Sequence, residues 1–239
     1  MAGHSHWAGI KHKKGRQDKL RSKIFSKISR EITVAAKLGS KDPSTNHRLR
    51  VAIESAKSAN MPKDNINRAI SKSELDKSQN FESLRYEGFG PKNIALVIEA
   101  LTENKNRTAS SIRTVLQKHG GNLGSSGSTV HYFYNCGVIQ VEKKDLSDEK
   151  ALEIATNAGA EDCISNEKFH EFITKKEDFY KVKNLIEKSK KNIIYSDIEW
   201  RARNLINISK EESKDIENML ELLHEDDDIQ KIFHNCKFE

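Results

Sequence analysis

The spacing of apolar residues changes near residue 80, and this change restricts the fold more than any other feature of the sequence. Between residues 16 and 70, apolar side chains recur every three to four positions, as they do in amphipathic helices. From residue 94 onward, short apolar runs and alternating stretches predominate, and these predict strands separated by helices. We therefore predict an α+β chain in which a helical N-terminal part precedes a strand-rich body.

The helical part is predicted to form a small three-helix bundle. Leucine and isoleucine recur every four residues early in the chain, which predicts a first helix over residues 16–38. Gly39 follows at the position where glycine commonly ends a helix, and Pro43 stands near the start of the second. A third short helix is expected after Pro62. We assign residues 1–79 to this basic helical domain, with a flexible arm at its start.

In the body, the order of predicted elements indicates two α/β domains. Residues 136–201 follow the order β-α-β-β-α-β, which is that of a ferredoxin-like fold. The flanking chain contains two β-α-β units, predicted as a strand at 94–98, a helix at 107–118 and a strand at 130–134, then a strand at 203–208, a helix at 210–224 and a strand at 229–235. We expect these units to pair into a second ferredoxin-like domain, 80–135 plus 202–239, interrupted by the first. One continuous mixed sheet is the alternative.

Charge is distributed unequally between the two parts. The chain has a formal net charge of +6, yet residues 1–72 hold 17 basic and 5 acidic side chains. Residues 73–239 hold the remaining 24 basic and 30 acidic side chains. A separate basic lobe usually binds a polyanion, so nucleic acid is the expected partner of the N-terminal part.

The basic residues of the first helix are predicted to lie on one stripe. On a helical wheel they fall within roughly 80°, opposite the apolar side. Acidic partners are nearly absent before Glu31, and such a ribbon of one sign repels itself, so a polyanion explains it better than a solvated face does. Trp7, in the glycine-containing arm, can stack on a base or pack on the domain behind it. The candidate nucleic-acid-binding residues are Trp7, Lys11, His12, Lys13, Lys14, Arg16, Lys19, Lys23, Lys27 and Arg30.

Several other motifs resemble chemical sites, and each also has a structural explanation. The glycine-rich segment 120–127 lacks the G-K-[ST] ending of a phosphate loop and follows a helix, so a turn is expected. Segment 103–108 can cap a helix or bind an anion through Lys105 and Arg107. The acidic run 225–228 can bind a cation or join a helix to a strand. The pair His4 and His6 provides too few ligands for a metal site.

No arrangement of side chains typical of an enzyme is evident. The three cysteines lie far apart without a C-x-x-C pair, which favours reduced thiols in the cytosol. We expect no catalytic residue, metal, cofactor or small-molecule substrate. The sequence shows no signal peptide and no apolar run long enough for a membrane span, so a cytoplasmic protein without a membrane partner is predicted.

Motifs along nearly the whole chain resemble those of the YebC/PmpR family. They stand here as MAGHS with Trp7, IKH at 10–12, QD at 17–18, KIF at 23–25, TVAA at 33–36, NMPKDNI at 60–66, RYEGFGP at 85–91, NRT at 106–108, KHGGNLG at 118–124, NAGAED at 157–162 and HN at 234–235. The chain departs from the family pattern at His6, where lysine is usual, and at 128–133, where a tryptophan is frequent.

This resemblance implies a function as well as a fold. It implies a helical N-terminal domain, two α/β domains and a non-enzymatic, cytoplasmic regulator that binds nucleic acid. The family is labelled as probable transcriptional regulators, and its mitochondrial members are translational activators. We therefore predict a nucleic-acid-binding regulator of gene expression, with DNA as the partner that the family label implies. The residues alone slightly favour ribosomal RNA, because an arm with Trp7 and lysines suits a folded RNA groove. The alternative is a ribosome-associated translation factor that binds ribosomal RNA and relieves stalling. The residues alone also leave open an enzyme built on the acidic body and a protein-interaction scaffold.

Overall fold

The computed structural model describes residues 14–75, 81–144, 146–189 and 192–238, and gives the backbone alone for residues 14–20 and Leu75. Within these residues the chain forms seven α-helices and ten strands. The helices are α1 Lys14–Leu38, α2 His47–Ser58, α3 Lys63–Leu75, α4 Lys105–Lys118, α5 Asp148–Ala158, α6 Phe179–Lys188 and α7 Lys210–Glu225. The strands are β1 Glu82–Phe89, β2 Ala95–Thr102, β3 Asn122–Leu123, β4 Phe133–Glu142, β5 Asp162–Ser165, β6 Phe169–Lys175, β7 Ile193–Ala202, β8 Ile206–Ile208, β9 Ile229–His234 and β10 Cys236–Phe238.

Helices α1, α2 and α3 pack through one apolar cluster. Its buried members include Ile32 and Leu49, together with alanines from all three helices. Asn46 fixes the α1–α2 connection, because its side-chain oxygen caps α2 at the Leu49 N–H while its amide donates to the Ala35 carbonyl. A Cβ at Gly39 would lie 2.7 Å from that amide nitrogen, so a larger residue there would displace the Asn46 side chain. The second helix thus begins after Asn46, which lies three residues beyond Pro43.

The chain divides into two compact units, one of residues 132–204 and one formed by the chain on either side. In the flanking unit, β1 and β2 form an antiparallel hairpin, with β3 beside β1 and β9 beside β2. Helices α4 and α7 cover the sheet with an apolar core that includes Ile112 and Leu220. Strands β8 and β10 pair in parallel as a separate two-stranded sheet.

Unit 132–204 has the predicted β-α-β-β-α-β order. Its antiparallel sheet runs β5-β6-β4-β7, which is the strand order of a ferredoxin-like domain. Helices α5 and α6 pack on the sheet through Ala151, Phe179 and Ile186. Gly159, with φ of 86°, ends α5 in the left-handed conformation that glycine adopts without steric cost. The α+β fold class, with three N-terminal helices followed by α/β parts, is confirmed.

Two sequence predictions in the flanking unit were wrong or incomplete. The strand predicted at 130–134 is a short 3₁₀ turn at Val130–Tyr132, after which β4 begins at Phe133 in the other unit. Strands β1, β3 and β10 were not predicted at all. The domain boundaries 1–79, 80–135 with 202–239, and 136–201 stay a prediction.

Candidate nucleic-acid interface

Helix α1 has two faces with different partners. One face is apolar and packs against α2 and α3. The other carries basic residues at positions 23, 27 and 30, spaced one and two turns apart and therefore on one stripe, as predicted. This stripe faces the acidic connection between α7 and β9. We call residues 225–228 the acidic turn, and its contacts with the stripe the charged joint.

The acidic turn is held in place by its own hydrogen bonds. Asp226 follows the last residue of α7, and its Oδ1 accepts a hydrogen bond of 2.9 Å from the Asp228 N–H. Its Oδ2 accepts one of 2.6 Å from Ser111 on α4. The Asp228 carbonyl accepts from the Leu101 N–H at 2.7 Å. The turn is thus fixed to the sheet and to α4 before any contact with α1 is considered.

Asp228 is the centre of the charged joint. It is only 4% exposed, and its Oδ1 accepts from Arg30 Nη1 at 2.8 Å. Its Oδ2 accepts from Arg107 at 2.7 Å, from Thr108 at 2.8 Å and from Thr102 at 3.0 Å. Burial alone would raise the pKa of this carboxyl group, but these four donors hold it below its ordinary value. Asp228 is therefore a charged carboxylate that joins α1 to β2 and α4.

Arg30 makes further contacts in the joint. Its Nη1 also donates to the Asp227 carbonyl at 2.9 Å and to the Leu101 carbonyl at 3.2 Å. Its guanidinium lies 5.6 Å from the centroid of the Phe81 ring, within the range of a cation–π contact. The planar guanidinium thus has partners at its edge and on its face, which fixes its orientation.

The two lysines of the joint have unequal surroundings. Lys23 Nζ donates to Asp227 Oδ1 at 2.6 Å and to the Glu225 carbonyl at 2.9 Å, with 29% of its side chain exposed. Lys27 is only 7% exposed, and its buried Nζ has no hydrogen-bond partner among the described residues. Burial lowers the pKa of Lys27 to about 8, with the charge of Lys23 as the next cause, although Asp226 and Asp227 act in the opposite direction.

The structure adds an internal partner to one part of the sequence prediction. Lys23, Lys27 and Arg30 were expected to contact phosphate, and in the structure they face the acidic turn of the same chain. Their contact with nucleic acid stays a prediction. The helical wheel gives the direction of a side chain from its own axis but not what lies there. The expectation that run 225–228 merely joins a helix to a strand was incomplete, because Asp227 and Asp228 form ion pairs with α1.

The other candidate residues precede this part of α1. Lys14, Arg16 and Lys19 lie in the first two turns of α1, where only the backbone is described. Trp7, Lys11, His12 and Lys13 lie outside the described residues, as do His4 and His6. Arg21 was not singled out by sequence; it is exposed, and its guanidinium lies 5.3 Å from the centroid of the Phe25 ring.

Some basic residues that follow α1 form ion pairs within the protein and do not enlarge its exposed basic surface. Arg48, at the start of α2, forms a two-point ion pair with Glu31, with Nε–Oε1 of 2.6 Å and Nη2–Oε2 of 3.0 Å. The side-chain oxygen of Asn104 caps α4 by accepting from the N–H groups of Asn106 and Arg107, as the capping explanation of this segment requires. Because Arg107 also binds Asp228, it belongs to the charged joint.

The glycine-rich segment is organised around an internal carboxylate. Glu87 is 2% exposed and accepts hydrogen bonds from the N–H groups of Gly127, Thr129 and Val130 at 2.8–3.0 Å. Burial opposes ionisation, but these donors hold the pKa of Glu87 below its ordinary value. A phosphate loop aims its N–H groups at a phosphate. Here the three N–H groups are already bound to Glu87, in agreement with a structural turn.

A second group of buried charges lies in unit 132–204. Arg201 Nη1 donates to Glu171 Oε1 at 2.8 Å, and Gln140 donates to the other Glu171 oxygen at 2.8 Å. The Tyr195 hydroxyl donates to Glu199 at 2.5 Å. Although burial lowers it, the hydrogen bond to Glu171 raises the pKa of Arg201 above its ordinary value. Burial raises the pKa of Tyr195, so its proton stays on the phenol.

The remaining groups with possible chemistry lie in structural settings. Cys136, Cys163 and Cys236 are free thiols, and burial raises the pKa of Cys136 to about 11 and that of Cys236 to about 12. Within the described residues, no three histidine, cysteine or acidic side chains converge as metal ligands do. The described helices likewise include none with the length and apolar character needed to cross a bilayer.

The chain matches two family models that together cover most of its length. One is described as the TACO1/YebC protein N-terminal domain and matches residues 5–75. The other, the TACO1/YebC second and third domain, matches residues 81–236. The helical region and the α/β body thus match parts of the same family.

Curated relatives and a solved structure agree with these matches. A probable transcriptional regulatory protein of Pelagibacter ubique is 53% identical over 239 residues, covering 100% of this chain and 99% of its own length. A protein of the same description from Zymomonas mobilis is 46% identical, covering 98% and 94%. The crystal structure of a conserved hypothetical protein from Aquifex aeolicus aligns with a TM-score of 0.84 and 43% identity, covering 98% of each chain.

Proposed function

Because the chain belongs to the TACO1/YebC family, we propose that it is a non-enzymatic regulator of gene expression that binds the phosphodiester backbone of DNA. Relatives of nearly equal length are named probable transcriptional regulatory proteins. The proposal includes a cytoplasmic location and excludes a cofactor, a small-molecule substrate and a membrane partner.

One observation carries the proposal: the basic stripe of α1 is divided at residue 23. From Lys23 onward its cations meet the acidic turn, which supplies their counter-charge. Before that point, residues 1–21 hold six basic side chains and a single acid, Asp18. The six are Lys11, Lys13, Lys14, Arg16, Lys19 and Arg21. A local excess of this kind favours a polyanionic partner, since phosphate contacts supply most of the affinity of non-specific nucleic-acid binding.

The proposed binding segment is therefore shorter than the sequence alone predicts. It comprises Trp7, Lys11, His12, Lys13, Lys14, Arg16 and Lys19, with Arg21 added from the structure. Lysine and arginine contacts to phosphate position a protein on a duplex without reading its sequence. Trp7 would add stacking on an exposed base. We expect weak sequence preference from this segment.

A salt titration tests this proposal. The anisotropy of a fluorescent 20-base-pair duplex is measured as protein is added at 50, 100 and 200 mM salt. About six phosphate contacts predict a loss of affinity of roughly 10³ between 50 and 200 mM salt. The variant Lys14→Gln with Lys19→Gln should bind more weakly and lower the magnitude of the log–log salt slope by about two.

The matched control removes two positive charges elsewhere. Lys168→Gln with Lys176→Gln changes the net charge equally at two exposed positions of unit 132–204. The control should retain nearly all of the affinity. Equal losses in both variants, or a flat salt response of the wild-type protein, would reject the binding segment.

The same titration distinguishes the alternative partner. A structured RNA of equal length is tested beside the DNA duplex at each salt concentration. Tighter binding of DNA is the expected result. Tighter binding of RNA, with the same dependence on Lys14 and Lys19, would keep the binding segment and favour a role on ribosomal RNA.

A further inference from the structure

The charged joint connects two parts that have separate apolar cores. The buried apolar side chains of α1, α2 and α3 form one cluster. Those of α4, α7 and the sheet of β1, β2, β3 and β9 form another. Ion pairs connect the two parts at Lys23–Asp227 and Arg30–Asp228. Ion pairs between partly exposed groups respond to salt and to competing ions, in contrast to a continuous apolar core.

Within the joint the contacts are graded from deep to exposed. Asp228 is buried and has all four donors around it, so the Arg30 contact is the deep one. The Lys23–Asp227 pair lies at the edge, with 29% and 51% of the two side chains exposed. A polyanion approaching along α1 from the proposed binding segment therefore reaches Lys23 before it reaches Arg30.

In the closed joint, the ammonium group of Lys27 lacks a hydrogen-bond partner among the described residues. Its Nζ is buried among Lys23 and Arg30 of its own helix and Asp226 and Asp227 of the acidic turn. An ammonium group in this position loses hydration that no hydrogen bond replaces, although the charges of Asp226 and Asp227 offset part of the loss. Opening the joint would return that hydration and present Lys27 to any anion bound at Lys23.

We propose that the acidic turn is an internal competitor for the polyanion, covering Lys23 and Lys27 in the free protein and releasing them when a phosphodiester backbone occupies α1. Arg30 and Asp228 remain paired throughout and act as the pivot. The inference rests on the proposed function, since it extends the binding segment along the same stripe. A polyanion shifts the equilibrium between the closed and open joint because it can contact Lys23 and Lys27 only in the open form.

The first test weakens the cover without touching the basic residues. Asp227→Asn removes the partner of Lys23, and Glu217→Gln removes an equal charge from an exposed position of α7 as the matched control. Asp227→Asn should tighten duplex binding about two- to fivefold at 100 mM salt, because less of the protein is held closed. The control should change binding less than about twofold, as screening predicts for a remote charge.

The second test observes the cover directly, without nucleic acid. Acetylation of Lys27 by an amine-reactive acetyl ester is followed by peptide mass spectrometry at pH 8. Asp227→Asn should raise the rate several-fold over wild type, and Glu217→Gln should leave it unchanged. In the binding assay, Lys27→Met should lower affinity about threefold, as loss of one phosphate contact predicts.

Each outcome bears on one of the two proposals. The competitor role of the acidic turn is wrong if Lys27 acetylation is unchanged in Asp227→Asn, or if that variant binds the duplex no more tightly than Glu217→Gln does. Binding by the wild-type protein would in that case still support the proposed function. If no variant binds duplex or RNA at any salt concentration, the proposed function fails and the competitor role fails with it. Faster acetylation of Lys27 in Asp227→Asn would then show that the charged joint opens but does not serve to bind a polyanion.

Discussion

The charged joint and the group of buried charges around Arg201, here called the Arg201 cluster, both contain arginine, carboxylates and buried polar groups, yet they differ in what holds those groups in place. In the Arg201 cluster, Glu171 receives Arg201 on one oxygen and Gln140 on the other. In the joint, Asp228 is equally well satisfied. Each group nevertheless leaves one cation incompletely paired, because Lys27 Nζ in the joint and Arg201 Nε and Nη2 in the cluster have no hydrogen-bond partner among the described residues. Desolvation of an ion is offset only where contacts replace its hydration. The two groups differ instead in their backbone support, which indicates a fixed structural element in one unit and an adjustable contact in the other.

The location of each group supports this difference. The Arg201 cluster lies on β4, β6 and β7, strands of one sheet paired along their length. The joint connects a helix to a turn that is about 200 residues away in sequence. Backbone pairing holds the first group in register whether or not its charges interact, whereas the second is held by side chains themselves.

The largest expected effect tests the fixed element. Arg201→Leu leaves Glu171 buried without its cation, and breaking a buried pair in this way costs about 3–5 kcal/mol. Urea unfolding of unit 132–204 can be followed by the fluorescence of Trp200 in a Trp7→Phe background, which removes the other tryptophan. Lys176→Leu, at an exposed position of the same unit, should change stability by less than about 0.5 kcal/mol. A loss below about 1 kcal/mol for Arg201→Leu would show that this cluster is no better fixed than the joint.

Lys27→Met should stabilise the protein, in contrast to Arg201→Leu, and by a smaller amount. The unfolded chain binds the lysine proton with a pKa near 10.5 and the folded chain with one of about 8, so protonation opposes folding. The stability of the wild-type protein therefore gains from Lys27 deprotonation as pH rises from about 8 to about 10.5. Methionine retains the apolar volume without the charge, so the variant should be more stable by about 2 kcal/mol at pH 7.

Native-state hydrogen exchange of α1 amides measures this difference. The advantage of Lys27→Met over wild type should shrink between pH 8 and pH 10.5, because the wild-type amine becomes neutral in both states. Lys57→Met, at an exposed position of α2, serves as the control for added hydrophobicity. A destabilised Lys27→Met variant would mean that the ammonium is satisfied in solution.

The fold was predictable where apolar spacing is regular. Helices α1, α2 and α3 and the β-α-β-β-α-β order of the inserted unit followed from spacing and turn residues alone. Strand β1 did not, because Glu87 and Gly88 interrupt its pattern; backbone pairing with β2 and β3 determines it. The stretch at 130–134 alternates like a strand, but Glu87 binds the Val130 N–H and holds a turn there.

The candidate site was predictable in position but not in partner. The wheel correctly placed Lys23, Lys27 and Arg30 on one stripe, since that follows from helix geometry. Their meeting with the acidic turn depends on tertiary contacts over about 200 residues, which local spacing does not contain. One signal was available: the acidic run at 225–228 complements the basic stripe in charge. To predict that the acidic run contacts the basic stripe, however, one would need to know the fold.

The smallest expected effect concerns the outer edge of the joint. Asp227→Asn removes an ion pair whose members are 29% and 51% exposed, and such pairs contribute about 0.2–1 kcal/mol. Exchange of α1 amides should therefore accelerate only slightly at low salt, and the difference from wild type should vanish near 1 M salt, where screening acts over about 3 Å. Glu217→Gln is the control of equal charge. A loss above 2 kcal/mol that persists at high salt would mean that the Lys23–Asp227 contact is closed to solvent, and a joint of that kind would not yield to a polyanion.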